Sequence, residues 1–215
     1  MAEFNENYFK DDHSPMGSAA IEDMLAEGES ILWRGKPKKS AFILSRVLKM
    51  LPFALIWLVF DGGFIGLMVG LDVFSQMPPV FTVFICVFFA FHLIPVWIWI
   101  SHIVTANRQH KNLEYAFTDR RIIIRSGVIG VDVNNLYYTD IQNVNLKVGL
   151  IDRWLKVGDI YVKSASQAQV LWDIEQPYTI TTKLQKITAD IKADIYYPNA
   201  LRPAENEGYK TNYKG

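Results

Sequence analysis

The chain has 215 residues, 50% of them hydrophobic and 20% charged, with 22 Lys and Arg set against 22 Asp and Glu. Zero net charge excludes a whole-protein field that would draw it to nucleic acid. A single cysteine, Cys86, excludes a disulfide framework and a cysteine metal centre; the length allows a membrane segment and one domain of about 90 residues.

In chain order, Met1–Ser18 is polar and reads as a disordered lead. Ala19–Ala26 fits two helical turns with Ile21, Met24 and Leu25 on one side, and Gly28–Pro37 reads as a short extended or turn segment carrying Trp33 towards a membrane. The first 45 residues hold no apolar core of a cleavable signal, so the first apolar run is expected to serve as the targeting signal. Residues 1–45 are therefore assigned to a cytoplasmic, partly disordered N-terminal segment.

Residues 46–106 are assigned to a two-helix transmembrane hairpin. Met50–Leu71 carries one charge and Val80–Ala106 carries no Lys, Arg, Asp or Glu. Each is long enough for a hydrocarbon core of about 30 Å at about 1.5 Å per residue. The short connector Asp72–Pro79 forces an antiparallel return. A span from Phe42 to Asp61 is the alternative, but it would leave the apolar Phe64–Leu71 in water. Arg34, Lys36, Lys38, Lys39, Arg46 and Lys49 precede the first apolar span, Arg108 and Lys111 follow the second, and the connector has no Lys or Arg. The asymmetry places both termini in the cytoplasm. Trp97 and Trp99 suit an interfacial belt, and Pro95 is a candidate kink.

Two features inside the hairpin call for a role. Asp61 and His92 stand at similar depth, about 15 residues from the connector, so an antiparallel hairpin can pair them as structural glue or as part of a proton or ion path. Gly62, Gly66 and Gly70 form a helix-packing groove, expected to seat the ridge of Phe84, Phe88 and Phe91, with a second copy of the chain as the alternative occupant.

Residues 107–197 change character. Leu113–Thr118 and Arg121–Ser126 read as two strands joined by a Thr118–Arg121 turn, with Ile122–Ile124 β-branched throughout; Ile141–Val148, Val157–Ser164 and Val170–Ile174 alternate apolar and polar residues. From Pro177 the period becomes helical, with Ile180, Leu184, Ile187, Ile191 and Ile195 in one stripe that must face the sheet. Residues 198–215 read as a disordered tail. The fold class is thus a membrane α-helical hairpin followed by a small β-barrel or sandwich capped by an amphipathic C-terminal helix. Residues 113–195 are expected to hold that fold without the spans.

The run Tyr115–Gly127, with Thr118, Asp119 and Arg121 in the turn and Arg125 before Gly127, resembles the opening motif of the bacterial PH (pleckstrin-homology-like) domain family. Tyr138–Val144 and Ile151–Ile160 are similar to its later motifs, and the upstream hairpin resembles its YdbS-like membrane-anchored members. The resemblance implies a PH-like barrel of about seven strands with a capping helix, in the inner membrane of a bacterium. It implies no enzyme. Thr118 and Asp119 are read as turn-makers, and Gly127 and Gly158 as corners needing backbone freedom.

Arg108, Lys111, Arg120, Arg121 and Arg125 form a candidate anionic-lipid contact. His13, His92, His102 and His110 are scattered and no phosphate loop or nucleophile motif occurs, so no catalytic, cofactor or metal residue is nominated. The expected partners are the bilayer and other proteins, including PH-like membrane proteins or a second copy, through an edge of the first strands. The leading expectation is a non-enzymatic inner-membrane protein presenting its PH-like domain. The alternative is a component of a small oligomeric transporter or channel using Asp61 and His92.

Overall fold

Among the described residues, β-branched and aromatic side chains build seven strands in two antiparallel sheets. The computed structural model describes residues 20–196; the disorder expected of Met1–Ser18 and of 198–215 lies outside the described residues. β1 (Ile31–Gly35), β2 (Glu114–Thr118), β3 (Arg121–Ser126) and β4 (Asp132–Tyr137) make one sheet, in that order. β5 (Ile141–Lys147), β6 (Val157–Ser164) and β7 (Ala168–Glu175) make the other. The helices are α1 (Lys39–Gly70), α2 (Val73–Gln76), α3 (Pro79–His92), α4 (Ile94–Asn112), α5 (Leu150–Leu155) and α6 (Pro177–Tyr196).

Strand register gives the domain two distinct ends. Gly35 faces Tyr115, Glu114 faces Arg125 and Ser126 faces Asp132, so these positions gather where α4 runs into β2. Lys147 faces Asp159 and Val157 faces Glu175, beside α5 and the start of α1. This is the hairpin end. The far end holds the Thr118–Arg121 turn and the β6–β7 turn. Between them Tyr115, Ile122, Leu136, Ile160 and Leu171 form the core, closed by Ile180, Leu184 and Ile191 of α6 with Ile187 partly buried, whereas Ile195 at the end of the expected stripe is exposed.

The domain begins earlier than its sequence pattern indicates. β1 pairs with β2, and Trp33 packs on Phe117 at 4.5 Å between ring centroids instead of pointing to a membrane. Ile21, in a short 3-10 turn, is buried on Ala116 and Ile123 at the back of the same sheet. Phe42, in the first turn of α1, belongs to the main core. Residues 113–195 alone would therefore lack an edge strand and a core side chain. β4 escaped the pattern because Asn134 and Asn135 are weak strand formers on a wet edge.

α1 starts at Lys39 rather than Met50 and is long and apolar enough to cross a membrane. α3 and α4 meet the same criterion only together, bent by 47° at Leu93. Pro95 stands two residues beyond, where its missing N–H interrupts the helical ladder. α1 and α4 pack through buried Ala54 and Ala106, and the Trp99 Nε1–H donates to the Val47 carbonyl at 3.0 Å. The glycine line is a different matter. A Cβ added at Gly62, Gly66 or Gly70 would meet nothing within 4 Å, and Phe84, Phe88 and Phe91 stay exposed. The bend carries α3 off the expected groove, leaving Phe89 against Phe64 at 5.9 Å.

Candidate functional site

At the far end the Thr118–Arg121 turn is tied to the N-terminal segment. The Thr118 Oγ1 accepts the backbone N–H of Arg120 (3.1 Å) and of Arg121 (3.0 Å), the turn-making role expected of it. Its own hydroxyl donates to Glu29 Oε1 at 2.7 Å. Arg121 adds a bidentate pair, Nε to Oε1 at 3.0 Å and Nη2 to Oε2 at 2.9 Å, and also donates to the Met24 carbonyl. The Glu29 side chain is 0% exposed. Burial raises its pKa, but the hydrogen bonds from Arg121, the Ala26 N–H and Thr118 outweigh that and hold it below the ordinary carboxylate value. Asp119 accepts the Ser30 N–H at 3.2 Å, clamping the turn to the start of β1.

At the hairpin end a bulge in β7 joins helix to sheet. Gly158 faces Ile174 and Ile160 faces Leu171, leaving Asp159 opposite both Trp172 and Asp173. Asp173 takes a left-handed φ of 50°. Its N–H donates to Asp159 Oδ1 at 3.0 Å, and its carbonyl accepts the Lys38 N–H at 3.0 Å, where α1 begins. Arg46 of α1 faces this cluster and donates to Gln109 of α4 at 3.0 Å. Buried Tyr115 accepts the Trp172 N–H at 3.0 Å, and burial pushes its hydroxyl well up. Gly158 has no positive φ; a Cβ there would press on Pro177, Leu146 and Val148 at 2.9–3.0 Å, so the requirement is close packing. Gly127 does need its freedom, at φ +133° with its Cβ position 2.1 Å from the Gly130 carbonyl oxygen.

Burial, with Asp159 and Asp152 nearby, pushes the Asp173 carboxyl up to about 7 against the attraction of Arg46. An acid with a raised folded-state pKa keeps its proton longer folded than unfolded. Its stabilising contribution is full below the unfolded value of 3.8 and is lost as pH rises through about 7. The melting temperature of the purified chain should accordingly fall by several degrees across that window. Asp173→Asn, which tolerates the left-handed backbone, should flatten the slope. An unchanged slope in that variant would assign the pH dependence to other groups.

In the hairpin, the depth match of Asp61 and His92 is realised: His92 Nδ1 lies 2.8 Å from Asp61 Oδ1 and 3.1 Å from Oδ2. Asp61 is buried, and the imidazole stacks between Trp57 (5.8 Å) and Phe88 (5.2 Å). The exposed edge of His92 borders an open apolar groove along one face of α3, lined otherwise by Phe84, Val87, Phe88 and Phe91. One polar side chain in an apolar hollow can hold or pass a proton but cannot cradle a charged solute.

The five basic residues of the candidate lipid contact do not converge. Arg121 is committed to Glu29, and Arg120 donates to the Glu27 carbonyl at 3.2 Å, both at the far end. Arg125 sits at the hairpin end, 3.7 Å from Glu114, which also pairs with Arg34. Only Arg108 and Lys111, exposed on α4, stand free of these ion pairs at the hairpin end. Residues that pattern reading missed lie there too: Arg153, Trp154 and Lys156, all exposed on or beside α5. The available signal was a tryptophan flanked by basic residues, read only as a family corner.

Two antiparallel sheets closed by a C-terminal helix define the class as pleckstrin-homology-like. The chain belongs to the bacterial PH domain family, whose pattern matches residues 50–192, from within α1 to within α6. Among solved structures it is similar to a DUF1696-family protein with a pleckstrin-homology domain from Shewanella loihica PV-4, at 19% identity over 37% of this chain and 70% of that one, with a TM-score of 0.29. No curated protein matches it.

Proposed function

We propose that this chain is a non-enzymatic, two-span protein of the bacterial inner membrane that presents its PH-like domain in the cytoplasm, with both termini on that side, for protein assembly. The observation that carries the reading is Phe42. A side chain from the first turn of the apolar helix is buried in the core of the domain, so hairpin and domain are one body with no linker to decouple them. The lysine and arginine asymmetry supplies the orientation. The clustered ionisable groups at the far end are bonded to one another, which supports a structural over a catalytic use of Glu29 and Arg121.

β2 and β3 are interior strands, flanked by β1 and β4, so the first hairpin cannot itself accept a partner strand. β4 is one edge of its sheet, with Val133, Asn135 and Tyr137 in solvent. It offers main-chain groups for strand addition. A photo-crosslinker at Val133 should give a discrete protein adduct in native membranes, and one at Ser166 on the far-end turn should not. Equal or absent yields at both positions would remove β4 as the assembly edge.

A further inference from the structure

α5 leaves two of its large apolar side chains uncovered. Leu150 is 90% exposed and Trp154 81% exposed. They stand four residues apart, on one helical face, with Arg153 between them and Lys156 just beyond, both exposed. A second prominence is the β3–β4 turn, where Ile129 is 96% exposed between Val128 and Val131. The close approach of Gly127 to the Gly130 carbonyl makes that turn tight.

Both prominences sit at the hairpin end. The Lys38 Nζ donates to the Leu155 carbonyl at 3.1 Å, tying α5 to the start of α1. The Asn112 Nδ2 donates to the Gly127 carbonyl at 3.2 Å, tying the turn to the last residue of α4. The two apolar features therefore flank the two points at which the hairpin joins the domain. The far-end turns, 118–121 and 164–168, carry no such feature. Distance also fits. Arg46 still acts electrostatically on Asp173 of the domain, and the apolar run begins at Met50. Those four residues rise about 6 Å, roughly one headgroup layer. Exposed Lys39, Arg108, Lys111, Arg153 and Lys156 lie on or beside α1, α4 and α5 at this end, with the exposed acids Asp132 and Glu175 also there. Exposed tryptophan and aliphatic side chains with lysine and arginine on the same elements match the chemistry of a bilayer interface, rings at headgroup level and cations among phosphates.

We propose that Leu150 and Trp154 of α5 and Ile129 of the β3–β4 turn insert into the interfacial layer of the membrane that holds the hairpin, giving the domain two further attachment points that fix its tilt. The inference rests on the two-span reading of α1, α3 and α4 and goes beyond it, because an anchored domain could equally stand clear of the surface.

The test uses the full chain in a Cys86→Ser background, reconstituted into vesicles of phosphatidylethanolamine and phosphatidylglycerol. Nitroxide labels are placed singly at Arg153→Cys and Val128→Cys, beside the inserting residues, and at Val87→Cys on α3 and Ser166→Cys at the far end. Collision with oxygen against a water-soluble nickel chelate reports depth. Val87 should be oxygen-dominated, 153 and 128 should favour oxygen at shallow depth even in high salt, and Ser166 should favour nickel. Leu150→Asp with Trp154→Asp, at positions too exposed to disturb folding, should switch the label at 153 to nickel. Labels at 153 and 128 as nickel-accessible as Ser166, with Val87 in lipid, would overturn insertion while leaving the anchor intact. A shallow position lost in high salt and indifferent to the Asp pair would overturn it in favour of a purely ionic contact. A nickel-accessible Val87 would overturn the anchor and this inference together.

Discussion

Glu29→Ala is expected to cost about 3–5 kcal/mol, the typical effect of stranding one member of a buried ion pair. The substitution removes both Arg121 bonds and leaves the guanidinium, 14% exposed in its side chain, beside the emptied Thr118 hydroxyl. It also loosens the segment that carries Ile21 and leads into β1. Against a total stability of about 5–15 kcal/mol the loss is large, and denaturant unfolding of the purified chain would read it directly. A change below about 1 kcal/mol would show that the N-terminal segment is not integral to the domain. Glu29→Met with Arg121→Met should recover much of the loss, because neither charge is then left buried alone. Since Glu29 is held below its ordinary value of 4.5, its contribution is present above that pH and lost as pH falls through the depressed folded-state value. Asp173 acts with the opposite sign in a higher window, so the two acids together favour a stability maximum in mildly acidic solution.

The second large effect is expected in the hairpin. His92→Leu leaves the buried Asp61 carboxyl without its partner, at a cost of about 2–3 kcal/mol for a polar group stranded among apolar helices. Asp61→Leu combined with His92→Leu should restore most of the melting temperature in detergent, as expected if the pair is glue. Asp61→Asn keeps a hydrogen-bonding side chain and should be mild. A variant of normal stability whose proton or solute flux in vesicles is abolished by Asp61→Asn would instead favour the oligomeric transporter reading.

Much of this molecule is legible in the chain because its strongest signals are periodic. The strand at 121–126 follows from its β-branched run, those at 141–147 and 157–164 from alternation, and the α6 stripe from steps of three and four. The Asp61–His92 contact follows from counting depth on both sides of one connector. What stayed hidden depends on partners remote in sequence. Arg121 reads as a free cation until Glu29, 92 residues away, is placed against it. β1 has a pattern too short and too glycine-broken to declare itself, and its place in the sheet depends on the α1 entry point. The glycine line looked like the helix seam, yet the Leu93 bend gives that role to Ala54 and Ala106. The exposed face of α5 depends on where a six-residue helix docks, which periodicity over so few residues does not report.

The central claim is that α1 and the bent α3–α4 pair form a two-span hairpin with the PH-like domain built on its cytoplasmic ends. It is tested most directly by impermeant thiol labelling of intact inner-membrane preparations of known orientation, in the Cys86→Ser background. Ser75→Cys, exposed in the connector, should react from the outer face, and Ser166→Cys, exposed on the domain, should react only once the membrane is opened. Reaction of both from the same side, or the reverse pattern, would contradict the account.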